Sequence, residues 1–414
     1  MSTLRSMTAA LPAIRAWIGK QRVPFAQHSK MMRWDYPLFI VALILLMLGL
    51  VMVYSASVTL PDLPRLFPNL KSTHFLRRQA LFIFIGISLG LIAWRIPTDI
   101  WQKCAPYLLV LSIILLGLVF VPGIRAETGD GVTRGIKGAY RWLNFRFFNF
   151  QPSELLKLVI ILYAADFVVR KQSAMKKLKG FLPMLCVLVV VISLLLKEPD
   201  LGTSVIVACV VMGVLFLGGS NMLWFAVLIP LLGTVCAAVI FFVAEKSSRI
   251  MGWWDRWNPL YAKAAYQLQH SLVAFGRGEL FGVGLGSGVE KLNYLPDRHT
   301  DFLLAMIGEE LGLIGVLAVI LLFYWLIKRG FDIGRQALQM DRHFAGLAAQ
   351  GISIWIGIQA FFHMGVNLGL LPTKGTTLPL MSYGGSGILI NCVALAILLR
   401  IDYENRAIMR GGKK

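Results

Sequence analysis

The chain has 414 residues, 57% of them hydrophobic, and a formal net charge of +20. Soluble globular chains sit nearer about 45–50% apolar, and here the excess falls in long runs. Composition therefore excludes an ordinary soluble enzyme and points to an all-α polytopic membrane protein. There is no basic folded domain to carry the charge, which argues against nucleic-acid binding.

Residues 1–35 read as a basic tail without an apolar core. The run that follows, YPLFIVALILLMLGLVMVYSAS, is too long for the apolar region of a signal peptide, so it reads as an uncleaved first span. A bilayer core takes about 20 helical residues. On that measure ten spans are expected, at 36–55, 79–96, 104–122, 151–169, 181–197, 201–218, 222–243, 302–328, 343–366 and 377–400. They form a membrane domain over 36–400, with a short tail at 401–414 and one large loop, 244–301, between spans seven and eight. Cys104, Cys186, Cys209, Cys236 and Cys392 all fall inside expected spans and read as packing residues.

Ten spans place both termini on one side. On that side lies RKQSAMKKLKG (170–180), with five positive charges and no acid. Positive loops mark the cytoplasm, so both termini are expected there and loop 244–301 outside.

Four loops carry unusual chemistry: KGAYRWLNF (137–145), KEPDLGTS (197–204), YLPDRHTD (294–301) and LPTKGTTLPLMSYGGSG (371–387). They follow spans three, five, seven and nine, so parity places them on one face of the membrane. Span four, QPSELLKLVIILYAADF, opens with Pro152 in its first turn and carries Glu154 and Lys157 three residues apart on one helical face. The pair reads either as a structural ion pair or as the wall of a polar cavity.

Span eight is preceded by His299 and Asp301 and contains Glu309 and Glu310. A helix starting near Thr300 puts Asp301 in its first turn, where a helix N-terminus stabilises a carboxylate. Asp301 is also the one of the three acids at the wet edge of the convergent face. Asp301, Ala305, Gly308, Gly312 and Gly315 share one stripe, open to a neighbouring helix or a ligand. Glu309 lies about 80° from this stripe and Glu310 opposite it. At least one of them is expected to anchor a neighbouring element. In the large loop, Trp253, Trp254, Trp257 and Tyr261 suit a headgroup layer, and 261–275 reads as an interfacial helix. GRGELFGVGLGSG reads as a flexible segment able to wrap a phosphate, although its spacing fits no phosphate-loop pattern.

An extracytoplasmic site has no ATP. It must hydrolyse something or use a donor activated before export, such as a lipid-linked diphosphate sugar. An aspartate there can take a proton from an acceptor hydroxyl. Basic residues or a divalent cation such as Mg2+ would offset charge on a departing diphosphate. No firm metal-ligand spacing is present, so such a cation would be held partly by substrate phosphates. A transporter is the rival class, against which stand the lack of an internal repeat and the crowding of polar features on one face. A non-catalytic scaffold is the third.

Seven ordered stretches, VMVYSAS (51–57), KGAYRWL (137–143), QPSELLK (151–157), PDLGTS (199–204), LPDRHTDF (295–302), GEELG (308–312) and LPLMSYGGSG (378–387), resemble the SEDS family of cell-wall polymerases, which includes FtsW, RodA and SpoVE. The stretches at 274–296, 371–380 and 400–406 resemble the division branch more than RodA. The resemblance implies a ten-span peptidoglycan glycosyltransferase acting on lipid II outside the inner membrane, at the division septum. The aspartate after His-Thr maps onto Asp301, implied as general base for the acceptor GlcNAc 4-hydroxyl, with undecaprenyl diphosphate leaving under inversion. The Arg-Trp pair maps onto Arg141 and Trp142, and the acid and base of span four onto Glu154 and Lys157. With His299, Lys374 and Ser382 these become candidate contacts to the cavity or the lipid diphosphate. Where many members have a basic residue before the Gln-Pro motif, this chain has Asn149, with Arg146 three residues earlier. Implied partners are lipid II, membrane lipid, a class B penicillin-binding transpeptidase of the FtsI type, and the division proteins FtsQ, FtsL, FtsB and FtsN. A lipid II flippase is a second activity proposed for the family.

Overall fold

The computed structural model describes residues 35–62, 71–121, 141–144, 149–175, 177–221, 223–226, 230, 233–234 and 244–411. Most of the expected seventh span (222–243), tail residues 1–34 and 412–414, motif residues 137–140 and Arg146 lie outside these. The described chain is nearly all helix: α1 (Tyr36–Ser57), α2 (His74–Arg95), α3 (Thr98–Leu118), α4 (Pro152–Arg170), α5 (Leu178–Lys197), α6 (Leu201–Leu217), α7 (Ala244–Trp254), α8 (Ala262–Gly278), α9 (Leu303–Gln339), α10 (His343–Asn367) and α11 (Gly385–Met409). A two-residue hairpin, β1 (Leu143–Asn144) with β2 (Asn149–Phe150), pairs antiparallel ahead of α4.

Among the described residues, seven helices are long and apolar enough to cross a membrane: α1, α2, α3, α5, α9, α10 and α11. The chain is thus a multi-pass membrane protein. α6 is a shorter apolar helix, and α4, at the place expected for span four, carries Glu154, Lys157, Asp166 and Arg170 along 19 residues. α4 and α10 form the centre. α10 packs against α9, α6 and α4, while α11 lies along α2. Consistent with that position, α4 is buried almost all round, whereas α3 keeps Tyr107, Val110, Leu111 and Ile114 on its outer face. Cys104, Cys186 and Cys392 form no disulfide.

Helix starts follow local chemistry. Asp35 caps α1 by accepting from the Leu38 N–H at 3.3 Å, and Asp200 caps α6 by accepting from the Thr203 N–H at 3.2 Å and its hydroxyl at 2.7 Å. α9 differs from expectation at its start. It begins at Leu303, so Asp301 precedes the helix and does not sit in its first turn. α9 also breaks at Gly312, whose φ of 68° and ψ of −166° no helix accommodates. The break frees backbone groups that a buried segment must satisfy. Residues 279–284 supply them: Leu313 donates to the Glu279 carbonyl (2.9 Å) and Ile314 to that of Leu280 (3.2 Å), while Val283 and Gly284 donate to those of Glu309 (3.0 Å) and Glu310 (3.1 Å).

The small-residue stripe of α9 therefore receives protein and not a ligand. A Cβ on Gly278 would fall 1.9 Å from the Gly308 carbonyl oxygen, and one on Gly312 would fall 2.3 Å from the Gly282 nitrogen. The glycine-rich segment is likewise occupied by the chain itself. Gly286 donates its N–H to Glu310 at 3.0 Å, and Val289 donates to Glu309 at 2.6 Å. Those amides wrap two carboxylates of this protein instead of a phosphate. Glu310 also meets Lys291 Nζ at 2.8 Å and the Ser55 hydroxyl at 2.7 Å, with Glu310 1% exposed. Both glutamates anchor neighbouring elements, one more than the minimum the spacing required.

α8 presents Ala265, Leu268, Ser271, Ala274 and Gly278 inward at helical spacing. Trp254, Trp257 and Leu260 ahead of it stay exposed.

Replacing Glu310 by Ala leaves Lys291 buried without its anion and is expected to lower stability by about 3–5 kcal/mol. Removing Arg335, paired at the surface with Asp332, is expected to cost less than about 1 kcal/mol. Thermal unfolding of the purified chain in detergent measures both.

Candidate functional site

The four chemically unusual loops meet around Asp301. Arg141, just ahead of β1, donates from Nη2 to the Pro199 carbonyl at 2.8 Å and from Nε to the Glu198 carbonyl at 3.3 Å. Asp200 follows directly and starts α6. A Cβ on Gly202 would lie 3.0 Å from Lys374 Cε, so the Lys374 chain crosses the first turn of α6. A Cβ on Gly375 would lie 2.7 Å from Asp301 Oδ2, which puts the carboxylate directly over the Gly375 backbone.

Asp301 keeps part of its surface open. Its N–H donates to the Asp297 carbonyl at 2.9 Å, and its own carbonyl accepts from Asn367 Nδ2 at 2.9 Å. Burial lifts its carboxyl from 3.8 to about 7; Asp297 and Asp200 push the same way, and Arg141 and Arg249 pull it back. Burial lifts Glu198 to about 8, helped by Asp200 and opposed by Arg141. Asp200 ends below its usual value: burial pushes it up, but Arg141, the bonds from Thr203 and the charge of Lys374 outweigh that push. Neighbouring acids are thus driven apart. Asp200 is held ionised while Asp301 titrates near neutrality, the pattern that separates acid–base roles in active sites.

Of the residues singled out in the sequence, Asp301, Arg141 and Lys374 come together, with Trp142 half-buried next to Arg141. His299 packs its ring 4.8 Å from Phe75 and 5.6 Å from Tyr383. Burial and Arg298 depress its pKa to about 3, so it stays a neutral imidazole at physiological pH. The Ser382 hydroxyl donates to the Thr300 carbonyl at 2.6 Å and accepts from the Leu378 N–H at 2.9 Å, tying two of the loops together. Glu154 and Lys157 lie apart, in the core beneath the last loop. Lys157 Nζ is 2.8 Å from Glu154 and 2.8 Å from Gln359 Oε1, and Gln359 Nε2 donates to the Thr377 carbonyl at 2.9 Å. The pair thereby braces the loop that carries Lys374 and Gly375.

Glu198, Asp200, Gly375 and Asn367 were not singled out as site residues. Asp200 had a readable signal, an Asp three residues before a Thr at the start of an apolar run. A lone Asn at the end of an apolar helix had none. Among the described residues, no group of three His, Cys, Asp or Glu side chains is placed to hold a metal ion. That donor set does not fit a divalent cation held by the protein alone.

Seven apolar helices closed at one end by a mixed-charge cluster define a helical membrane protein with a polar site at its rim. The sequence model of the FtsW, RodA and SpoVE family, described as "Cell cycle protein", matches residues 36–407, and the chain belongs to this family. It is 52% identical over 388 residues to a Burkholderia thailandensis protein named "Probable peptidoglycan glycosyltransferase FtsW", covering 93% of this chain and 82% of that one. A Nitrosomonas europaea protein of the same name is 48% identical over 390 residues, covering 93% of this chain and 97% of that one. Among solved structures, a chain described under "Structural coordination of polymerization and crosslinking by a peptidoglycan synthase complex" is 25% identical, with a TM-score of 0.69 over 91% of this chain and 99% of that one. The Thermus thermophilus rod shape determining protein RodA is also 25% identical, with a TM-score of 0.62 over 90% of this chain and 97% of that one.

The raised Asp301 pKa has a consequence for stability. Below the ordinary value of 3.8 the carboxyl is neutral in both folded and unfolded chains; above about 7 it is ionised in both, and folding bears the burial cost of the charge. Asp301→Asn removes that cost. The thermal midpoint of the Asn chain is expected to exceed that of the parent chain by a margin that grows from pH 4 to above pH 7, measured by unfolding scans across that range.

Proposed function

We propose that this chain is a peptidoglycan glycosyltransferase that polymerises lipid II at the division septum, with Asp301 as general base. Relatives that cover most of the chain carry the glycosyltransferase name. The observation that carries the assignment of Asp301 is its electrostatic setting. It is a partly open carboxyl titrating at about 7, with Arg141 and Arg249 close enough to lower it, and with Lys374 next to Asp200 in the same cluster. A base poised near the working pH accepts a proton without being permanently protonated.

Asp301 takes the proton of the acceptor sugar's 4-hydroxyl as that oxygen bonds to the donor's anomeric carbon. The bond from that carbon to the diphosphate breaks with its electron pair, and undecaprenyl diphosphate leaves on the opposite face, inverting the centre. Arg141 and Lys374 offset the charge that develops on the diphosphate. Trp142 stands half-buried beside Arg141. His299, Ser382, Glu154 and Lys157 hold the loops that form it.

With α4, α6 and the segment 222–243 added to the seven apolar helices, the count is ten spans over 36–400. Both termini then face the cytoplasm, and the cluster and loop 244–301 face the periplasm. A class B penicillin-binding protein of the FtsI type is the expected partner, and the relation to a solved peptidoglycan synthase complex supports it.

Purified chain with this partner and lipid II in detergent tests the reading. Asp301→Asn is expected to lose polymerisation while expression and partner binding persist. Activity of the parent chain is expected to rise with pH through about 7, as Asp301 ionises. Undiminished polymer from the Asn chain would remove Asp301 as base. Detergent provides no second leaflet, so polymer formed there also separates this reading from lipid transport.

A further inference from the structure

Asn367 is the last residue of α10 and has no exposed surface. Its amide is fully used. Nδ2 donates to the Asp301 carbonyl at 2.9 Å and to the His363 carbonyl at 2.8 Å, while Oδ1 accepts from the Ala305 N–H at 3.1 Å. Ala305 lies in the first turn of α9, and its N–H is shared between the Phe302 carbonyl and Asn367 Oδ1, each at 3.1 Å. The N-cap residue of α9, Phe302, offers no side-chain oxygen. An amide reaching over from another helix therefore adds a second acceptor at this turn and grips Asp301 with its other group.

Both backbone groups of Asp301 are thereby held, N–H by Asp297 and carbonyl by Asn367. Only the side chain is left to turn. Of the common side chains of this size, only an amide donates and accepts together in this way; a carboxylate has no donor, and Leu has neither. The carbonyl of Asn367 in turn accepts from the Ser271 hydroxyl of α8 at 2.8 Å, and Ser271 is itself fully buried. Two residues on, the Gly369 carbonyl accepts from the Trp253 indole of α7 at 2.9 Å. A hydrogen-bonded line therefore runs from the α7–α8 hairpin through the end of α10 to Asp301.

We propose that Asn367 is a positioning residue for the Asp301 carboxylate, setting its orientation toward the acceptor hydroxyl and tying that orientation to α8. The proposal rests on Asp301 being the base. Misplacing a reacting group by about 1 Å costs on the order of 100-fold in rate, so a residue that fixes the base's backbone acts on turnover more than on substrate affinity.

The test uses the full chain with its class B partner and lipid II in detergent, read as kcat, KM and the midpoint of the acid limb of the rate–pH profile. The charged groups facing Asp301 are Asp297, Arg141, Asp200 and Arg249. Asn367→Leu, close in volume, removes both the acceptor for the Ala305 N–H and the donor to Asp301, and kcat is expected to fall on the order of 100-fold with KM little changed. Ser271→Ala deletes one hydroxyl, and kcat is expected to fall about three- to tenfold with KM unchanged. Asn367→Leu made at normal yield with an unchanged kcat would overturn the proposal. Should that chain fail to fold, an unchanged kcat in Ser271→Ala would do the same. Polymer from Asp301→Asn would instead sink the base assignment, a separate outcome.

Discussion

Two carboxylates inside an apolar helix would unfold this end of the molecule if they were left alone. Glu309 and Glu310 are 0% and 1% exposed, yet each is met by donors: loop amides for both, with Lys291 and Ser55 added for Glu310. Burying an ionised carboxylate is tolerated only when pairing and hydrogen bonds replace water. Here the replacement is a folded glycine-rich segment, and that segment leads directly into Asp297, Arg298 and Asp301. The position of Asp301 is thus a consequence of how its neighbours' charge is neutralised.

The same segment repairs the break in α9. At Gly312 the helix stops and restarts, and residues 279–284 take up the released backbone groups on both sides. Arg298 completes the attachment. Its guanidinium is 3% exposed and donates to the Ala56 carbonyl at 2.7 Å, the Thr59 hydroxyl at 3.1 Å and Asn293 at 2.9 Å, fixing the end of α1 to the loop. Above this frame the Asp301 cluster is built differently. Its charges are mixed, it is partly open, and its acids hold different protons. The frame is fully bonded, and the cluster keeps one acid near its titration point, the setting the proposed base role requires.

Much of this was legible in the sequence. Apolar runs gave the helices, parity brought the four loops to one face, and the HTDF motif singled out Asp301. Pairwise readings failed where long-range partners decide. The helix of span eight starts at Leu303, and in its first turn Asn367, 62 positions from Ala305, accepts from the Ala305 N–H. The glycine run left a phosphate-wrapping role open, because the periodicity that placed Glu309 and Glu310 on different faces of α9 could not show that a single loop reaches both. His299, two residues before Asp301, points into an aromatic cluster, since two residues along an irregular turn carry no fixed shared direction. Glu198 and Asp200 enter the site through Arg141, a contact between loops that no local pattern encodes.

The most direct measurement of the carboxylate-wrapping loop is hydrogen–deuterium exchange on the full chain in detergent, read at the amides of Gly286, Val289 and Glu290. These sit in an irregular stretch whose residues 284–287 are exposed. Bonded to Glu309 and Glu310, they are expected to exchange as slowly as amides in the middle of α10, and to become fast when both glutamates are replaced by Gln. Open-loop exchange rates in the unaltered chain would contradict the account.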